Sequence, residues 1–140
     1  MVQQITLNYA AIFIAALAHM ILGALWYSPI LFGKSWMKLM NFNAKTMEES
    51  KKRGMAKLYM IMFIVALLMS YILAHFVKYT SSMTAIEGLQ LGFWLWLGFV
   101  ATIMINSVLW ESKPIKLYLI NIGYYFISLL LMGVILASWQ

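Results

Sequence analysis

The chain has 140 residues, of which 64% are apolar and 10% charged, with a net charge of +6 and no cysteine. A soluble protein carries about a quarter of its residues as charged ones, and a domain this small leaves too much area in water to hide so much apolar surface. The composition excludes an ordinary soluble domain, a disordered tail and a disulfide-stapled secreted module, and it leaves a polytopic membrane protein.

Four apolar stretches, Ile5–Tyr27, Leu58–Val77, Ile86–Trp110 and Ile115–Ala137, make up most of the chain. A hydrocarbon core about 30 Å thick takes about 20 helical residues at about 1.5 Å each, and every stretch is long enough. Helix is the state that satisfies the backbone in lipid, because four strands cannot close a barrel. The expected fold is therefore all-α: a single transmembrane domain over 1–140, an up-and-down four-helix bundle. The first stretch is read as a retained span. Its leader Met1–Gln4 carries no positive charge, and Trp26-Tyr27-Ser28-Pro29 is no small-residue cleavage site.

The first connection, about residues 28–57, holds seven of the ten basic residues, Lys34, Lys38, Lys45, Lys51, Lys52, Arg53 and Lys57. Lys113 and Lys116 flank the third connection, and the second has only Lys78. The excess of positive charge predicts that the first and third connections are cytoplasmic, placing both termini outside a cell membrane that the chain crosses several times. The basic charge then answers to a bilayer, with anionic headgroups as partners, and not to nucleic acid.

Within that connection Pro29 ends the first helix. Lys34, Lys38, Asn41 and Lys45 then recur on one side, with Phe32, Trp36, Leu39 and Met40 on another. The spacing predicts a short amphipathic helix in the membrane interface, with Trp36 at the boundary. Thr46 and Glu49 have capping-box spacing, so a second helix is expected from near Thr46 into the second span, with Gly54 its weak point.

Polar side chains inside a span are costly and tend to face the bundle. In the first span Ala11, Ala15, His19, Gly23 and Tyr27 form one i,i+4 line. Gly98, Thr102 and Asn106 form another in the third, and Tyr118, Asn121, Tyr125 and Ser128 recur at helical spacing in the fourth. Counting about 1.5 Å per residue from the centre of each span puts His19, Thr102 and Asn121 roughly 4–8 Å toward the cytoplasmic side, in one layer, with Asn106 nearer the interface. The candidate polar layer is thus His19, Thr102, Asn106, Asn121 and Tyr125. It serves either interhelical hydrogen bonding or a polar cavity in which His19 exchanges protons. His75 and Glu87 stand at the ends of spans joined by a short turn and are placed to pair there. No catalytic residue, cofactor site or metal site is implied. The two histidines lie at opposite depths without thiol or carboxylate company, and the twelve methionines read as apolar filler.

The run Gly23-Ala-Leu-Trp-Tyr-Ser-Pro-Ile-Leu-Phe-Gly-Lys-Ser-Trp-Met-Lys, residues 23–38, resembles the signature of the membrane family called domain of unknown function 1761. Asn8, Trp96-Leu-Gly-Phe-Val100, Asn121-Ile-Gly-Tyr124 and Trp139 are similar to that family too. The resemblance covers nearly the whole chain. It implies a small four-span protein and supplies no activity. It singles out Trp26, Tyr27, Ser28, Pro29, Gly33, Lys34 and Trp36 as a candidate interfacial motif: a helix exit with an aromatic pair, a proline stop and a turn glycine.

Three function classes fit these residues. The first is a non-enzymatic interaction or accessory subunit, working as a homo-oligomer or with a membrane protein partner. The second is a small oligomeric transporter or channel around His19, Thr102 and Asn121. The third is a lipid-modifying membrane enzyme, for which no acid–base pair is visible. Reporters fused to the two termini are expected to read out on the non-cytoplasmic side; a cytoplasmic signal from either end overturns the orientation.

Overall fold

The computed structural model describes residues 5–140, apart from the side chains of Ala44 and Met47; the leader Met1–Gln4 lies outside the described residues. Four helical segments are long and apolar enough to cross a membrane: Tyr9–Trp26, Met55–Tyr79, Ala85–Leu109 and Ile115–Ser138. They form the expected all-α bundle. The first span, α1 (Tyr9–Trp26), begins later than the apolar run, because the Asn8 side chain accepts from the Ala11 N–H and caps it.

The first connection differs from expectation in two places. The amphipathic helix is only α2 (Gly33–Leu39), since Asn41 takes a left-handed φ of 55° and turns the chain. The next helix, α3 (Ala44–Lys52), is capped by Asn43, whose side chain accepts from both the N–H and the hydroxyl of Thr46. Thr46 is therefore inside the helix and not its cap. Nor does α3 run into the second span. Gly54, at φ 91°, separates it from α4 (Met55–Tyr79), and open space around Gly54 shows that backbone conformation, not crowding, is its task.

The third span is α5 (Ala85–Trp96), a π-helical turn over Leu97–Ala101, and two short pieces, α6 (Thr102–Met104) and α7 (Asn106–Leu109). Two carbonyls in the widened turn are taken up by side chains. The Thr102 hydroxyl donates to Gly98 O at 2.6 Å, and the Tyr118 hydroxyl of the fourth span donates to Ala101 O at 2.6 Å. At the start of α5, Thr84 and Glu87 form a complete capping box, so the Glu87 carboxylate accepts from the Met83 and Thr84 N–H groups. His75 Nδ1 instead meets Tyr71 O at 2.9 Å. The expected His75–Glu87 pair does not form, because each group already has a partner in its own helix end.

The last helix, α8 (Ile115–Ser138), is the centre of the bundle. Eleven of its residues are buried, from Leu117 to Ala137, and α1, α4 and α5 all pack on it. The closest approach is to α5. A Cβ built on Gly88 would collide with the backbone of Gly133, one on Gly133 with Gly88, and one on Gly92 with the Leu129 carbonyl. Backbones meet where no side chain stands between them, which is how membrane helices gain dispersion energy without a hydrophobic drive. On the other side Ala11, Ile12 and Ala15 of α1 pack with Leu73, Ala74 and Val77 of α4, and with Leu129 and Met132 of α8. There the buried Ser70 hydroxyl donates to Ile12 O at 2.8 Å. Near the bundle's other end, residues 55–65 of α4 are all exposed or half-exposed, with Phe63 edge-on to Phe13 of α1.

Gly88→Val is expected to lower stability in detergent, at a cost of about 1–3 kcal/mol or more from overpacking. Gly98→Ala, with nothing within 4 Å of the added carbon, is expected to be neutral or stabilising. Thermal unfolding of the two variants side by side checks the contrast.

Candidate functional site

The small-residue line of the first span faces α8, as its pattern predicts. Its polar member, His19, meets two residues of that helix. Its Nδ1 lies 2.5 Å from Ser128 Oγ, and its ring nitrogens lie 3.1 and 3.0 Å from the Tyr124 hydroxyl. The same hydroxyl is 2.9 Å from the His19 carbonyl oxygen. Either imidazole tautomer fits: Nδ1 accepts from Ser128, or Nδ1–H donates to it while Ser128 donates to Met132 Sδ. In both, the Tyr124 hydroxyl lies within reach of a ring nitrogen and the carbonyl. Tyr125 stacks beside the imidazole with ring centroids 6.3 Å apart. The site is a hydrogen-bonded knot between two helices. Among the described residues no group of three or more His, Asp or Glu is placed to hold a metal ion.

A second polar contact lies nearer the lysine-rich end. Tyr27 donates to Asn121 Oδ1 at 2.8 Å, and its neighbour Trp26 donates from Nε1 to Ile120 O at 3.0 Å. Successive residues of the exit motif thus grip successive residues of α8. The chain can then turn sharply because Gly33 has no side chain. Its N–H reaches Ser28 O at 2.9 Å, and a Cβ there would strike Tyr27 O. Phe32 packs on Trp26 at 4.7 Å, and Trp36 meets the edge of Tyr27 at 5.9 Å. Gly123 leaves room for the Trp26 ring. Pro29 and Lys34 stay exposed at the outside of the turn, and Ser28 caps it by donating to Leu25 O at 2.6 Å.

Of the candidate layer, Tyr125 stacks beside His19, Asn121 instead bonds Tyr27, and Thr102 and Asn106 join neither contact. Both of the latter are exposed on the outside of the third span. The cause is the π-helical turn. Asn106 lies eighteen residues after Gly88, about five turns at 3.6 residues per turn, so an unbroken helix would aim it at α8. The extra residue in the wide turn rotates it by about 100°. Gly98, on the same line, likewise has no neighbour.

Two contributors do not follow from the polar and small-residue lines. Tyr124 carries the knot, although 121-124-128 has the same helical spacing as the 121-125-128 line that includes Tyr125. Gly88 and Gly92 form a Gly-xxx-Gly pair, and that spacing alone marks a close helix contact. Trp94 and Trp96 point to different sides of their helix, as their spacing requires: Trp96 donates from Nε1 to Ile122 O at 2.8 Å, while Trp94 is 65% exposed.

A family model described as Protein of unknown function (DUF1761) matches residues 10–137. The chain belongs to the DUF1761 family. No curated protein and no solved structure matches it. The region shared with DUF1761 contains the His19 knot, the exit motif and the Gly88–Gly133 contact, whereas the bond from Asn8 Nδ2 to Trp139 O lies outside it.

Tyr27→Phe and Asn121→Leu, singly and together, are expected to show a coupling of about 0.5–2 kcal/mol, as for other interhelical hydrogen bonds in membranes. Additive losses in a double-mutant cycle of unfolding would contradict the contact.

Proposed function

We propose that this DUF1761 protein is a non-enzymatic subunit of a cell membrane that works by binding another membrane helix, either of a second copy or of a partner protein. Its lysine-rich connections face the cytoplasm. The observation that carries this reading is the line Gly98, Thr102 and Asn106 on the outside of the third span. The only buried residues of that span are Gly88 and Gly92. Apolar residues such as Phe99 and Ile103, exposed by 65% and 59%, need no partner in lipid. A small, hydroxyl and amide line does gain from one. Small residues admit a second backbone, and an amide in a span is satisfied by a neighbouring helix and not by lipid tails.

Transport around His19, Thr102 and Asn121 draws less support, because His19 is fully hydrogen-bonded between two helices and Thr102 stands apart from it. A lipid-modifying reaction lacks a carboxylate or second histidine beside a reactive group.

The chain has no cysteine, so single-cysteine variants report cleanly. Thr102→Cys in native membranes is expected to form an oxidative crosslink to a species larger than the monomer. The added change Asn106→Leu is expected to weaken it severalfold. A lone monomer band from Thr102→Cys, together with a monodisperse monomer in mild detergent, overturns the reading.

A further inference from the structure

The lysine-rich end of the bundle contains an open cavity of about 520 Å³ that none of the contacts above uses. Its walls come from two distant parts of the chain: Ser35, Lys38, Leu39 and Asn41 around α2, and Pro114 and Lys116 at the start of α8. Two lysines, a serine and an asparagine therefore line one space, and no acidic residue is among its lining residues. The adjoining end of α8 adds to the same sign of potential. Pro114 caps that helix without a side-chain hydrogen bond, and its first turn holds no acidic residue.

The shape follows from the backbone. Trp36 and Phe42 pack at a tilt with ring centroids 5.6 Å apart, and Trp36 also meets Tyr27, which fixes α2 against the bundle. Lys38 is exposed on α2, and the left-handed turn at Asn41 brings the chain round at the end of the cavity. Leu39 and Pro114 supply apolar wall beside the cations. This combination suits a group that is anionic at one end and attached to hydrocarbon at the other.

We propose that this cavity binds a phosphate group with net negative charge, that of an anionic phospholipid in the leaflet at the lysine-rich face. Lys38 and Lys116 neutralise the phosphate from opposite walls. Ser35 and Asn41 donate hydrogen bonds to its oxygens, and the acyl chains leave past Leu39 and Pro114. This site is independent of any partner on the third span.

The test is native mass spectrometry of the full chain in detergent with added phosphatidylglycerol, phosphatidylcholine or inorganic phosphate. A phosphatidylglycerol adduct is expected, with phosphatidylcholine at least tenfold weaker. Lys38→Gln with Lys116→Gln is expected to weaken the adduct at least tenfold. Lys52→Gln with Lys113→Gln, which removes the same charge from the same face, is expected to leave it within twofold. Displacement of the lipid by millimolar inorganic phosphate would assign the site to a soluble phosphate, and no displacement assigns it to the lipid; both keep the phosphate chemistry. Equal loss in the two double variants, or binding of phosphatidylcholine as tight as phosphatidylglycerol, overturns the proposal. Lys38→Arg with Lys116→Arg separates binding from folding, since it keeps both charges and is expected to retain the adduct.

Discussion

The arrangement of this bundle depends on the approach of α5 to α8 at Gly88, Gly92 and Gly133. Lipid tails are as apolar as leucine, so there is no gain in merely bringing two greasy helices together. What holds them is close atomic contact, and that is greatest where backbone lies on backbone. Once α5 is seated there, the phase of the whole third span is set, and Trp96 and Tyr118 reach across to carbonyls on the facing helices. The π-helical turn then changes that phase for every residue after Trp96. The outward position of Thr102 and Asn106 is a consequence of this contact and this turn together.

The opposite side of α8 is held by a different chemistry. Antiparallel to it, α1 and its two caps make contacts along the length of α8: Asn8 with Trp139, His19 with Ser128 and Tyr124, and at the far end the adjacent pairs Trp26 with Ile120 and Tyr27 with Asn121. Each bond is modest in a membrane, but the set permits one register. The exit motif belongs to this ladder. Its recognisable residues are the ones that grip α8 and turn the chain, which gives them a structural reason to occur together. The fourth span is thus fixed by glycines on one side and by hydrogen bonds on the other, while α4 is packed firmly along only part of its length.

Several features were legible in the residues. The four spans follow from runs of apolar side chains, and the small line Ala11-Ala15-His19-Gly23-Tyr27 correctly marks a packing face. The turn at Gly33 is visible as a glycine after a proline stop, whereas Gly54 is legible only as a weak point in a helix expected to continue through it. Other features were not. Asn43 displaces Thr46 as cap because both side chains suit the role, and only the local backbone path decides between them. Tyr124 and Tyr125 occupy almost the same face, so periodicity cannot choose the one that reaches His19. Lys38 and Lys116 meet around one cavity only because α2 folds back on the start of α8.

By itself the sequence determined the solvent of this protein, the number of its spans and the end of the bundle that carries the positive charge. These are properties of composition and of position along the chain, and they survive any rearrangement of the helices. The tertiary structure alone decided which helix lies at the centre, which polar residues meet and which are left outside. Those outcomes depend on helix phase, and one extra residue in a turn rotates everything beyond it by about 100° without altering the pattern of residue types.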